Sequence, residues 1–396
     1  MTASVTASVV VWSDKLLEYD LGDHPLDPVR VELTMALARE LGVLSRPGVT
    51  VRVPVAATEE ELLRVHRRDY LDAVRVAPDD PFFRGYGLNT PDNPVFDHMH
   101  EISALVCGAT LAAGRAVWSG EAVRAASISG GLHHAMAARA SGFCVYNDPA
   151  VAIADLLRSG AKKIAYVDID VHHGDGVQEI FANDPRVLTI SLHESPLSLF
   201  PGTGFAQEVG GPEALGSAVN VALPAGTGDS GWQRAFHAVV PSVMRAFKPE
   251  IVVLQAGADS HRIDPLANLR LSVDGQRAAQ LAVKALADEL CGGKLLATGG
   301  GGYALMQVVP RTWTHLLAMV TGEPLNPATL TPPGWRELAR KRFPHHDVPL
   351  RLTDDEIVAF EPWQPGVSAD PLDRAILSTR QAVFPYYGLD PQDVRD

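Results

Sequence analysis

Short apolar, often β-branched runs alternate along the chain with longer stretches whose apolar positions recur at helical spacing. The runs at 8–12, 163–170, 187–192, 218–223, 250–255 and 294–298 read as strands. The stretches at 29–41, 59–66, 101–118, 148–159, 231–247 and 274–290 read as helices. A run such as Ile-Val-Val-Leu-Gln, ending at Gln255, shows no polar alternation, which marks a parallel strand covered on both faces. Alternating strands and helices imply right-handed crossovers around one parallel sheet, an α/β protein. Pro241 falls inside a helical pattern and should kink or split it.

No linker-like composition and no internal repeat interrupts residues 8 to about 320. The composition then shifts, with 11 of the 29 prolines falling between Pro324 and Pro391. This tail is expected to wrap the domain with little regular structure beyond one helix candidate at 373–384. Trp335, Trp363, Phe384, Tyr386 and Tyr387 are its bulky anchors.

Charge narrows the class of partner. The 396 residues carry 34 Lys+Arg against 47 Asp+Glu, a formal charge of −13. An acidic surface repels a phosphate backbone, so direct nucleic-acid binding is not expected. The composition, 46% hydrophobic and 20% charged, excludes general disorder. Cys107, Cys144 and Cys291 contain no CxxC, so neither a disulfide framework nor a cysteine zinc cluster is expected. The first apolar run lacks a preceding basic segment and is followed by Asp14 and Lys15, so it reads as a strand and not a signal peptide. No stretch has the apolar length of a membrane span. The expected compartment is a reducing cytoplasm, and oligomeric state leaves no sequence signal.

The densest chemistry is YVDIDVHHGDG at 166–176. Strand alternation puts Asp168, Asp170 and His172 on one side, at the end where parallel sheets place ligands. Two carboxylates and an imidazole are costly to bury unless a cation neutralises them, and a divalent metal is the economical cation. Asp259 follows the strand ending at Gln255 and completes an Asp/His/Asp set matching a catalytic zinc site with an open position. Such a site polarises a carbonyl and lowers the pKa of bound water. His133 and His134, after a glycine pair, each need a partner, and Asp168 and Asp175 are the unclaimed carboxylates. One histidine can take a proton from water, and either can donate to a leaving group. The run TGGGGY at 298–303 has no phosphate-binding spacing; its glycines let backbone approach a ligand, and Tyr303 can donate to a developing oxyanion.

Four motifs, GGLHHA (130–135), GFCVYND (142–148), YVDIDVHHGDG and GGGGY (299–303), resemble the zinc-dependent histone deacetylases, most closely the bacterial acetoin-utilisation type, class I-like. GDHPLDPVR (22–30), NPVFD (93–97), SLH (191–193), FPGTG (200–204) and QAGADS (255–260) support it, in the family's order over residues 8 to 320. The resemblance implies an arginase-like, three-layer α/β/α sandwich with a mostly parallel sheet. It implies a catalytic domain at 1–322, with the proline-rich extension 323–396 packed on it. The implied zinc ligands are Asp170, His172 and Asp259, with Fe2+ as an alternative metal in cells. His133 pairs with Asp168 and His134 with Asp175, His134 being the general base and acid, and Tyr303 steadies the oxyanion. Phe143 and Phe200 wall a narrow tunnel, with Gly142 and Leu266 nearby and Asp92 at the rim. A potassium ion is implied at Asp168, Asp170, His172, Ser191 and Leu192.

Some positions depart from the family. Asp27 and Pro265 stand where eukaryotic class I enzymes bind inositol phosphates, so that regulation is not expected. His261, Arg262 and Ile263 differ from the usual rim residues and bear on substrate choice. His345 and His346 have no motif around them, and Cys144 has no adjacent base and reads as packing. The expected reaction is hydrolysis of acetyl-lysine, on a protein or another acylated amine, to acetate and free amine. Acetylpolyamine hydrolysis suits the same acidic balance. A two-manganese ureohydrolase would need further bridging carboxylates, and a non-catalytic acyl-lysine reader would lack a ligand or the tyrosine; none is missing.

Overall fold

Among the residues described by the computed structural model, 7–366 and 369–395, eight parallel strands form one sheet. They are β1 (Ser8–Val11), β2 (Val49–Arg52), β3 (Arg124–Ser127), β4 (Ile164–Asp168), β5 (Val187–Glu194), β6 (Ala218–Leu223), β7 (Ile251–Gln255) and β8 (Leu295–Thr298), in the order β2-β1-β3-β8-β7-β4-β5-β6. The helices begin with α1 (Val29–Glu40), α2 (Glu59–Leu62), α3 (Arg68–Val76), α4 (Met99–Trp118) and α5 (Asp148–Arg158). They continue with α6 (Asp175–Ile180), α7 (Asp229–Phe247), α8 (Val273–Cys291), α9 (Val309–Val320), α10 (Pro333–Arg342) and α11 (Pro371–Val383). Helices α2 to α5 pack together over β1, β3 and β8, while α1, α7, α8, α9 and α11 form a second packed set. The result is the α/β sandwich expected from the strand pattern, with strands buried on both faces.

Two strands lie outside the sequence expectation. β3 reads Arg-Ala-Ala-Ser, with small side chains because α4 and α9 both press on it. β2 is a short, half-exposed edge strand. Strand β4 also stops at Asp168 and not at residue 170. The Ile169 N–H still reaches Gln255 of the neighbouring strand, but the Asp170 N–H is taken by the Asp168 carboxylate at 3.0 Å. Side-chain capture of that donor ends the ladder and turns the chain.

Other boundaries are corrected as well. Pro241 does not split α7, which runs unbroken over it; a proline removes one bond of the ladder, and burial of the helix face retains the rest. The helix expected at 59–66 ends at Leu62, with a Thr58–Glu61 capping box at its start. The tail holds two helices, more regular structure than expected. Trp335 of α10 is fully buried and donates to Leu33 O at 2.9 Å, tying the tail to α1, while α11 packs on β6 and α7. No described helix is long and apolar enough to cross a membrane.

Candidate active site

The four strands at the middle of the sheet, β3, β8, β7 and β4, are adjacent and end together. Their last paired residues, Ser127, Thr298, Gln255 and Asp168, lie side by side in register, with Ser191 of β5 continuing the row. Polar side chains thus stop the four strands at one level. Within the row Thr298 donates to Gln255 Oε1 (2.9 Å), and Gln255 Nε2 donates to Gly131 O (2.7 Å). The loop leaving each strand carries one motif: GGLHH, GGGGY, AGAD and IDVHHGDG.

The glycines are there for access. A Cβ on Gly301 would sit 1.8 Å from Asp259 Oδ2, and one on Gly257 would sit 2.2 Å from Asp170 Oδ2. Both carboxylates therefore touch bare backbone, and Gly301 N–H donates to Asp170 at 2.7 Å.

His133 and His134 are buried, with ring centres 4.0 Å apart. Each presents Nδ1 to a carboxylate: His133 to Asp168 at 2.8 Å, His134 to Asp175 at 2.7 Å. Asp168 also accepts from the Tyr166 hydroxyl at 2.7 Å. The two imidazoles are shifted in opposite directions. Burial works against a cation at His133, but Asp168 and Asp170 outweigh it and raise its pKa to about 9. Burial and the neighbouring His133 charge lower His134 to about 4, against the pull of Asp175. At neutral pH His134 is an uncharged base whose Nδ1–H faces Asp175, leaving Nε2 as its acceptor.

Asp170, His172 and Asp259 are buried, and their donor atoms lie within 4.8 Å of one another. His172 Nδ1 stands 3.3 Å from Asp170 Oδ1 and 3.1 Å from Asp259 Oδ2. This donor set calls for a cation. Burial disfavours charge on His172, yet the two carboxylates raise it to about 10, and burial with Asp170 repulsion raises Asp259 to about 7. Two carboxylates and an imidazole converging in a buried site fit a divalent metal of the catalytic type.

Beside this group runs a narrow cavity whose lining includes Leu26, Leu132, Gly142, Cys144 and Tyr303. Phe143 stands edge-on to Tyr303 (ring centres 5.7 Å apart), and Phe200 edge-on to His134 (5.0 Å). The turn carrying Phe143 is left-handed at both Gly142 (φ 53°) and Phe143 (φ 69°). Any Cβ on Gly142 would strike the His134 ring at 2.4 Å, and Tyr19 donates to Phe143 O at 2.8 Å to hold the turn. Asp92 is exposed at the rim and accepts from Gly142 N–H at 3.0 Å. Ser191 lies beside Asp168 in register and Leu192 is buried. Leu266 is half-buried on the turn after Asp264, which accepts its N–H.

Sequence reasoning left several contributors unassigned. Buried Arg30 donates to Gly302 O at 3.0 Å and lies 6.0 Å from the Tyr303 ring centre. Asp148 accepts from Gly131 N–H, Leu132 N–H and the Thr110 hydroxyl, holding the loop that leads into His133. Asp264 accepts from Tyr303 N–H at 2.8 Å. Arg30 and Asp148 sit inside quoted motifs, and that membership was the only signal for them.

Residues 24–320 match the model of the histone deacetylase domain. The chain is 40% identical over 342 residues to the acetoin utilization protein AcuC of Bacillus subtilis, covering 85% of this chain and 87% of that protein. It is 38% identical over 331 residues to AcuC of Staphylococcus aureus strain MRSA252, covering 82% and 84%. Among solved structures, an HDAC homolog complexed with SAHA superposes with a TM-score of 0.81 at 28% identity, covering 94% of this chain and all of that one. An HDAC homolog from Aquifex aeolicus gives 0.79 at 28% identity over the same shares.

Proposed function

The chain belongs to the histone deacetylase family and is a deacetylase, a hydrolase of amide bonds; we propose that it removes acetyl groups from protein lysine side chains, with zinc held by Asp170, His172 and Asp259. The single observation that carries this reading is the juxtaposition of that buried triad with two His–Asp dyads and Tyr303 around one narrow cavity. When bound there, zinc supplies Lewis acidity toward the acetyl carbonyl and the attacking water.

The chain's own residues do the rest. Phe143 and Phe200 flank the linear lysine stem, and Asp92 at the rim receives the peptide N–H groups beside it. His134, neutral and oriented by Asp175, takes the proton of water at Nε2 and delivers it to the departing amine. His133, hydrogen-bonded to Asp168, places its imidazole beside the developing anion as a second group for the proton. The Tyr303 hydroxyl donates to the oxyanion. Leu26 and Leu132 line the cavity that would receive the acyl group. Potassium at Asp168, Asp170, His172, Ser191 and Leu192 would brace the strand ends, a reading supported by Ser191 lying beside Asp168. The names of the AcuC relatives suggest a tie to acetoin catabolism, with a protein of that metabolism as the acetylated target.

Acetate release by the purified, zinc-loaded chain is to be measured on acetyl-lysine peptides and on acetylspermidine. Turnover on the peptides is expected to dominate. Faster hydrolysis of acetylspermidine would transfer the assignment to small amines, and hydrolysis of neither would overturn it.

A further inference from the structure

The family match ends at residue 320, yet the loop bearing Asp259 is tied to a segment well beyond it. Asp354 in the extension accepts from His261 Nε2 at 2.7 Å and from Val273 N–H at 3.0 Å, and pairs with Arg311 at 2.8 Å. His261 and Arg311 are buried. The strap is itself anchored: Asp274 accepts from the Thr353 hydroxyl (2.8 Å) and Asp354 N–H (2.9 Å), and Arg311 donates to Thr353 O at 2.9 Å.

On its other side the His261 ring faces the turn. With Nε2–H given to Asp354, Nδ1 is the acceptor and receives Ile263 N–H at 3.3 Å. Asp264 N–H closes the same turn on His261 O at 2.9 Å. Asp264 then holds Tyr303 N–H at 2.8 Å and Leu266 N–H at 3.0 Å. A continuous series of hydrogen bonds therefore runs from the extension, through His261 and Asp264, to the backbone of the tyrosine that faces the cavity.

We propose that Asp354 is a positioning residue for deacetylation: through His261 it fixes the turn whose Asp264 sets the backbone of Tyr303, so the extension completes the active site. The hydroxyl of Tyr303 is useful only where the oxyanion forms, and a buried imidazole between two anchors leaves the turn little freedom. The activity arm of the test rests on the acetyl-lysine reading; the exchange arm does not.

In the full, zinc-loaded chain, Asp354→Ala is expected to lower kcat on an acetyl-lysine peptide by about 10–100-fold, with KM moved less than about twofold and zinc content kept. His261→Leu, which leaves Asp354 with Arg311 and Val273, is expected to give the same split and covers the case that Asp354→Ala fails to fold. In a Tyr303→Phe background neither change should reduce kcat further, because both act through that hydroxyl. Unchanged kcat per zinc-loaded molecule, or an equal loss in the Tyr303→Phe background, overturns the proposal. Amide hydrogen exchange needs no substrate: residues 299–305 should exchange faster in both variants, and unchanged exchange there overturns the link. A wild-type chain inert on acetyl-lysine, with exchange altered as expected, refutes the substrate reading and supports the strap.

Discussion

His133–Asp168 and His134–Asp175 are the same pair of side chains at almost the same separation, built on adjacent residues, yet their imidazoles are shifted in opposite directions. The first faces the carboxylate row at the strand ends, where Asp168 and Asp170 together raise the imidazole to about 9. The second leans on one carboxylate and is repelled by the first imidazole, which with burial takes it to about 4. The lesson is that a dyad's hydrogen bond does not set its protonation; the next charge does. One dyad's imidazole is thereby the more readily protonated, and the other is the base.

The largest test removes one member of the buried Asp170–His172–Asp259 triad. Asp259→Asn should abolish metal retention and take acetate release to background, while the His–Asp distances persist in a crystal structure. Metal analysis showing full occupancy would detach the triad from the chemistry. Next, His134→Ala should reduce kcat by about 10²–10⁴-fold with metal retained. His133→Ala should cost less, since it removes the second group for the proton and not the base. A reversed ranking in steady-state kinetics would invert the roles.

A third histidine isolates burial from carboxylates. His66 donates Nδ1–H to Met136 O at 3.1 Å and accepts Asn147 N–H at Nε2 (3.0 Å), so it is neutral, and burial lowers its pKa to about 4. Because the folded value lies below the unfolded 6.5, the unfolded chain binds the extra proton as pH falls. Stability is whole above about pH 6.5 and is lost down to about pH 4, by about 3 kcal/mol from this group. His66→Gln should flatten the urea midpoint against pH by up to one proton in that window; an unchanged slope would show that His66 titrates normally.

The smallest effect concerns the anchor of the His133–Asp168 dyad. Tyr166→Phe removes one donor from Asp168 and should destabilise the fold by about 2 kcal/mol, with His134-dependent turnover little altered. A kcat loss as large as that of His134→Ala would mean that the two dyads titrate as one unit.

Much of this was legible without coordinates. The apolar strands announced the parallel sheet, and Asp168, Asp170, His172 and Asp259 stood out because apolar strands rarely end in such residues. The rest required tertiary register. β3 is small where a strand is usually bulky, because helices press it from both sides. Leu26 reaches the cavity from a loop before α1, and only its membership of the motif at 22–30 marks it. Asp354 meets His261 across 93 positions, and no spacing rule links them.

The order of the sheet also has a consequence for biosynthesis. β8, the last strand made, lies between β3 and β7, so until Thr298 leaves the ribosome the sheet is two separate pieces with raw inner edges. Those edges are templates for pairing with other chains, and that of β3 stays open from Ser127 until Thr298 is made. The catalytic loops come together only when β8 slots in. A truncated or stalled chain is therefore an aggregation hazard with no hydrolytic activity, and insertion of this strand is the event a chaperone would guard.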